Sequence, residues 1–115
     1  MTIADSVIAA LRKSIEPGRP SPFTTYADFA REYGFSAKYP PAWANGPTLN
    51  AAADALKNDP AIDLDLTFLI RSATTGYPSV IDAKPFDGTS QHKQRAREVA
   101  GKIIEKFKLT AKNPY

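Results

Sequence analysis

Cysteine is absent from the chain. It therefore forms no disulfide, offers no thiolate nucleophile and builds no cysteine-ligated zinc site. Histidine occurs once, at His92. A multi-histidine metal site or a serine triad cannot be assembled from one imidazole that sits in a basic helical stretch and is expected to face solvent. The glycines Gly18, Gly34, Gly46, Gly76, Gly88 and Gly101 stand alone, so no glycine-rich phosphate loop is present. No apolar run approaches the roughly 18–20 residues that cross a bilayer. The opening residues lack the basic start and apolar stretch of a secretory leader. The expectation is a cytoplasmic chain with no cofactor, no metal and no membrane partner.

What is present fits a single domain over residues 1–115. Of the 115 residues, 43% are hydrophobic and 23% charged, an ordinary globular balance. The net charge of +3 is unevenly spread. Bases and acids balance in residues 1–60, so the excess lies in 61–115. Within 91–112, Lys93, Arg95, Arg97, Lys102, Lys106, Lys108 and Lys112 face only Glu98 and Glu105. Such a segment attracts phosphate or an acidic partner, or simply forms a solvated helix face.

Apolar spacing predicts the elements. Ile3, Val7, Leu11 and Ile15 repeat every four residues, with Thr2 and Asp5 as a capping box and Pro17-Gly18 as the stop. Thr25 caps a second helix with Asp28 reaching back to its open amides; Phe29, Ala30 and Tyr33 face inward and Gly34 closes it. Pro47 at the first position opens a third helix, whose buried stripe is Leu49, Ala52, Ala53 and Leu56. Ile62, Leu64, Leu66, Phe68 and Ile70 alternate with Asp63, Asp65, Thr67 and Leu69, the period of a half-buried strand. A loop at 72–77 and a return strand at 78–82 complete an expected hairpin. Thr89 or Ser90 caps a last helix buried through Ala96, Val99, Ala100, Ile103, Ile104 and Phe107, with Gly101 in its interior.

Three helices, a β-hairpin wing and a C-terminal helix make an α+β, winged-helix-like domain. In that arrangement the third helix enters the major groove of duplex DNA. Thr48, Asn50, Ala51, Asp54 and Lys57 are its expected outward contacts. Tyr26 and Arg31 are expected near the backbone, and Arg71, Thr74 and Thr75 on the wing. Tyr39 and Trp43, in a proline-rich stretch, are candidates for an aromatic patch that binds a protein partner.

Three stretches resemble the DNA-binding domain of the alkylguanine-DNA alkyltransferases and the alkyltransferase-like proteins. Thr24-Thr25-Tyr26-Ala27-Asp28-Phe29-Ala30 is similar to that family's Thr-Thr-Tyr-Gly-Asp-(Ile/Leu)-Ala helix start. Asn50-Ala51-Ala52-Ala53-Asp54-Ala55-Leu56 with Asp59-Pro60 is similar to its recognition helix and Asn-Pro stop. Leu66-Thr67-Phe68-Leu69-Ile70 falls where the family has Pro-Cys-His-Arg-Val. Gly76 falls near the family's wing, and Gln91 begins a helix where it has a Gln-Arg helix. The likeness runs over roughly residues 19–104. It implies a winged helix that binds DNA. It also implies no alkyl transfer, because Thr67 stands at the alkyl-accepting cysteine, Phe68 and Leu69 at the histidine and arginine, and Asn50 at the recognition-helix arginine.

Two other readings come from the residues. A winged helix also serves as a protein-interaction module, here with a homodimer through the terminal helices as one form. Val80-Ile81-Asp82-Ala83-Lys84 matches the Asp-x-Lys signature of metal-dependent nucleases, with Asp63 or Asp65 as the second carboxylate. The Asp63-Asp65 pair alone would bind a hard cation weakly, or alternate as solvated polar residues.

Overall fold

The computed structural model describes residues 2–17, 21–36 and 42–115. Tyr39, one of the expected partner contacts, lies outside them. The fold is α+β, and among the described residues it has four α-helices and two short two-stranded sheets.

Helix α1 (Ile3–Ser14) starts at the expected capping box: Thr2 Oγ1 accepts the Asp5 N–H at 3.1 Å, and Asp5 accepts the Thr2 N–H at 3.1 Å. Strand β1 (Thr24–Thr25) leads into α2 (Tyr26–Tyr33), where Thr25 Oγ1 accepts the Asp28 N–H at 3.3 Å. The Asp28 carboxylate pairs with Arg31 at 3.1 Å. Gly34 closes α2 at φ 77°, a left-handed conformation that costs glycine little. A 3-10 turn, Ala42–Ala44, precedes α3 (Gly46–Lys57). Asn45 caps α3 through Thr48 N–H at 2.8 Å, so the helix starts one residue before Pro47. Thr89 rather than Ser90 caps α4 (Ser90–Lys106), accepting the His92 N–H at 3.3 Å.

The expected ten-residue strand is not there. Asp63 takes φ 54°, which breaks the extended chain at its start. Asp65 Oδ1 then accepts both the Thr67 N–H, at 2.9 Å, and the Thr67 hydroxyl. This local capture winds Leu66–Leu69 into a 3-10 turn, the alternative that aspartate offers the backbone in place of a ladder. All of Leu66, Thr67, Phe68, Leu69 and Ile70 are buried, so the alternation has no exposed face. Only β2 (Ile70–Arg71) is extended, and it pairs in parallel with β1: Thr24 with Ile70, Thr25 with Arg71.

The hairpin exists, ten residues further on. Strand β3 (Val80–Ile81) pairs antiparallel with β4 (Lys84–Pro85). Asp82 and Ala83 form its two-residue turn at φ 50° and 67°, both in the left-handed region that twists such hairpins correctly. The loop at 72–77 is a separate, self-bonded turn: Ser72 N–H donates to Tyr77 O at 2.9 Å and Gly76 N–H to Ser72 O at 2.8 Å.

The core gathers α1, α3, α4 and the 66–70 segment. Val7, Leu11, Phe29, Leu56, Leu66, Phe68, Leu69, Ile70, Ile81 and Ile103 are each at most 1% exposed. Burying each of the larger ones is worth about 1.5–3 kcal/mol. A second aromatic layer stacks Phe29 against Trp43 (5.2 Å), Phe35 (5.7 Å) and Tyr33 (4.8 Å). No helix among the described residues is long and apolar enough to cross a membrane.

Candidate nucleic-acid interface

Helix α3 buries Leu49, Ala52, Ala53 and Leu56 and turns Ala51, Asp54 and Lys57 outward, as its stripe dictates. Asn50, Asp54 and Lys57, at i, i+4 and i+7, share one side. That side overlooks a cleft of about 170 Å³, whose opposite wall is Val80, Asp82 and Ala83 of the hairpin and whose floor is Asp65 and Thr67. The fold thus sets an outward helix row across from a hairpin turn. Thr48, two residues before Asn50 and therefore on another side of the helix, is half-buried, its N–H held by Asn45.

The cleft is rich in carboxylates. Asp54 pairs with Lys57 at 3.6 Å and Asp82 with Arg95 Nε at 2.9 Å. Burial pushes the Asp65 carboxyl above its usual range, against the Thr67 hydrogen bonds, which pull it down. The nearby Asp82 raises it further and Lys57 lowers it. A neighbouring hollow continues past Asp63, Leu64, Arg95 and Lys102.

The other expected contacts do not converge on this cleft. Tyr26 is a structural tie: its phenol oxygen accepts the Ser79 N–H at 3.0 Å, and its ring lies 5.8 Å from Trp43. Burial raises its phenol pKa, which the Ser79 hydrogen bond opposes. Arg31 is exposed on α2 and engaged by Asp28. Thr74 and Thr75 are exposed at the 72–77 bend, where Thr75 Oγ1 is occupied by the Tyr77 N–H and carbonyl at 3.2 Å each. Arg71 is half-buried, and its Nη1 is buried with no hydrogen-bond partner.

Trp43 is a correction. At 2% exposed it is part of the core, with Nε1 donating to Ser36 O at 2.9 Å, so it offers no aromatic surface to a partner. His92 is another: its side chain is only 16% exposed, because Nδ1 accepts the Asp87 N–H at 3.2 Å and the ring lies 6.0 Å from Phe86. Asp82 is the first residue of the hairpin turn and Lys84 follows that turn in β4, and the Asp82 carboxylate is engaged by Arg95. Among the described residues no group of three or more His, Asp or Glu is placed to hold a metal ion.

Sequence reasoning missed an aromatic ladder at the other end of the hairpin. Phe86, Tyr77 and Tyr115 stack in sequence at 5.0 and 5.6 Å, and Phe23 meets Tyr115 edge-on at 6.3 Å. The one available signal was the interleaving of Tyr77 and Phe86 with Arg71, Lys84, Lys93, Arg95 and Arg97; nothing in the sequence joins the distant Phe23 and Tyr115 to them.

No protein-family model matches this chain, and neither a curated protein nor a solved structure matches it.

Proposed function

We propose that the chain is a non-catalytic nucleic-acid-binding protein of winged-helix type, akin to the alkyltransferase-like proteins, that lays α3 against duplex DNA with the hairpin as its wing. One observation carries the reading: exposed Asp54 and Lys57 and half-buried Asn50 of α3 line a cleft shared with Asp82 and Ala83 of the β3–β4 turn. Asn50 on that row has the amide needed to bond adenine in a bidentate manner, and Lys57 and Lys84 supply phosphate contacts on either side.

The test is fluorescence anisotropy on a labelled duplex across a salt series. Two or three phosphate contacts predict log affinity falling with log salt at a slope of about −2 to −3. Lys57→Gln and Lys84→Gln should each flatten that slope by about one. Absence of binding at low salt overturns the reading.

The acidity of the cleft favours a second reading, a winged-helix protein-interaction module that receives a cationic segment. Asp54→Asn separates the two. It strengthens a phosphate contact on α3 and weakens a cationic one.

A further inference from the structure

The aromatic ladder is a different surface from the α3 cleft, and it is already filled by part of the chain itself. Tyr115 stacks on Tyr77 at 5.6 Å with an interplanar angle of 21°. Its hydroxyl donates to Phe68 O at 2.6 Å, and its main-chain oxygen accepts from Arg97 Nε at 3.1 Å. An aromatic ring stacked on a tyrosine, with an oxygen acceptor held by a guanidinium, is the pattern by which a nucleotide is bound: base on platform, phosphate on arginine.

The surroundings are cationic. Lys93 Nζ lies 5.8 Å from the centre of the Tyr77 ring and forms no ion pair among the described residues. Arg71, whose charge acts on the Tyr115 phenol, leaves Nη1 buried and unpartnered. An orphaned buried guanidinium donor is uncommon and calls for an acceptor that an anionic ligand supplies. Among the described residues no aspartate or glutamate makes an ion pair with Arg71, Lys93 or Arg97.

The occupant is anchored by its ring and hydroxyl, whereas the segment leading to it is held at its surface. Between Leu109, whose N–H reaches Ile104 O, and Tyr115 itself, the Asn113 side chain makes the tail's hydrogen bonds, to Arg97 O at 2.9 Å and Tyr115 N–H at 3.1 Å. Thr110, Lys112, Asn113 and Pro114 are exposed. The exposed hydrogen bonds of residues 110–114 open at small cost, while the Tyr115 ring leaves its packing against the core and its bond to Phe68 O when it is displaced.

The geometry points to a single-stranded nucleic-acid site on Tyr77, Lys93 and Arg97, in which a base takes the place of the Tyr115 ring and a phosphate that of its main-chain oxygen. The tail is then an internal competitor, and the apparent affinity of the site is reduced by the fraction of time Tyr115 occupies it. The site does not depend on α3 docking to duplex DNA.

The probe is a fluorescein-labelled thymidine oligonucleotide of about a dozen nucleotides, read by anisotropy against the full chain at low and moderate salt. Tyr115→Ala should tighten binding about three- to tenfold. In that background Tyr77→Leu and Arg97→Gln should each weaken it about tenfold, with circular dichroism confirming the fold. If Tyr77→Leu does not fold, Lys93→Gln with Arg97→Gln reads the same site through its charges. No binding by the Tyr115→Ala protein at low salt overturns the proposal. So does equal competition by oligoglutamate or by anionic vesicles, which would make the surface a general anion face. Loss of oligonucleotide binding on Lys57→Gln would place the strand on α3, overturning this site while leaving the α3 reading intact.

Discussion

Gly101 sits in the interior of α4, where glycine costs a helix about 0.8–1.0 kcal/mol relative to alanine. Mid-helix glycines often mark a close approach of another segment. Here a Cβ built on Gly101 meets a single atom, Asn113 Nδ2, at 3.8 Å, an ordinary van der Waals contact. The backbone is helical, so no left-handed conformation demands glycine. Gly101→Ala should therefore recover most of the propensity difference, about 0.5–1 kcal/mol, chiefly by restricting the unfolded chain. For a domain of this size that raises the melting temperature by about 2–6 °C. The assay is paired thermal and urea unfolding by far-ultraviolet circular dichroism, with unchanged urea slope as the sign that only stability moved. A melting temperature that stays level or falls refutes the reasoning, for it would mean that the Asn113 crossing cannot give way to a methyl group. The Asn113→Ala, Gly101→Ala double variant then locates the conflict: additivity clears the crossing, and non-additivity convicts it.

Ala83 holds φ 67° in the hairpin turn, a conformation unfavourable for a residue with a Cβ. Ala83→Gly should stabilise the protein by about 0.5–1 kcal/mol, read as a higher urea midpoint, and a loss of stability would show that the turn is not of this type. Asp65 supplies the pH dependence. Its folded pKa is raised by burial, so the stability it contributes is complete below the unfolded value of 3.8 and is lost as pH rises through the folded value. Asp5, Asp59 and Asp87 act in the opposite sense: hydrogen bonds from Thr2, Ala61 and Thr89 hold them below the usual range, and their contribution is lost as pH falls. Asp65→Asn keeps an oxygen for the Thr67 N–H and removes the charge, so its stability relative to the wild type should grow between pH 3 and pH 7. A pH-independent difference would show that Asp65 titrates normally.

The parts legible in the sequence are those whose cause is local. Thr2 and Thr25 each cap a helix through a bond to the third residue on, and a reader of the chain can name them without coordinates; Thr89 stands beside Ser90 as a candidate, and Asn45 caps α3 one residue before the position that Pro47 suggests. The apolar stripe of α3 is equally local, as are the centres of those of α1 and α4, whereas Ile3 is 53% exposed and Ile15, Ile104 and Phe107, at the helix ends, are only half-buried. The segment 62–70 misled because alternation of aspartate with leucine and isoleucine satisfies a strand pattern and an aspartate-capped turn alike. The choice was made by Asp65 seizing Thr67 two residues on, and by burial of both faces of 66–70 under helices distant in sequence. The pairing of Thr24-Thr25 with Ile70-Arg71 is long-range, and nothing in either dipeptide announces it. For the candidate site, outward exposure on α3 was legible from its stripe. The burial of Trp43 was not, since it depends on Phe29 and Phe35 closing over it.

The distribution of charge follows from the same local events and decides which surface can meet a polyanion. Asp54, Asp65 and Asp82 all face the α3 cleft, and the cations there, Lys57 and Arg95, are already matched to two of them. Along α4 the helical repeat separates Arg95, Lys102 and Lys106, which lean toward Asp82, Asp63 and the Ile62 carbonyl, from Lys93 and Arg97, which lie at the ladder. Among the described residues no aspartate or glutamate forms an ion pair with the second pair. A phosphate approaching α3 must overcome the cleft's field, whereas one approaching Tyr77 meets Lys93 and Arg97 and must displace Tyr115 from its packing and its bonds to Phe68 O and Arg97. If both surfaces bind nucleic acid, neutralising the cleft by Asp54→Asn and Asp82→Asn should strengthen duplex binding and leave the single-stranded oligonucleotide unaffected. A change in both would mean that one electrostatic surface, not two, governs recognition.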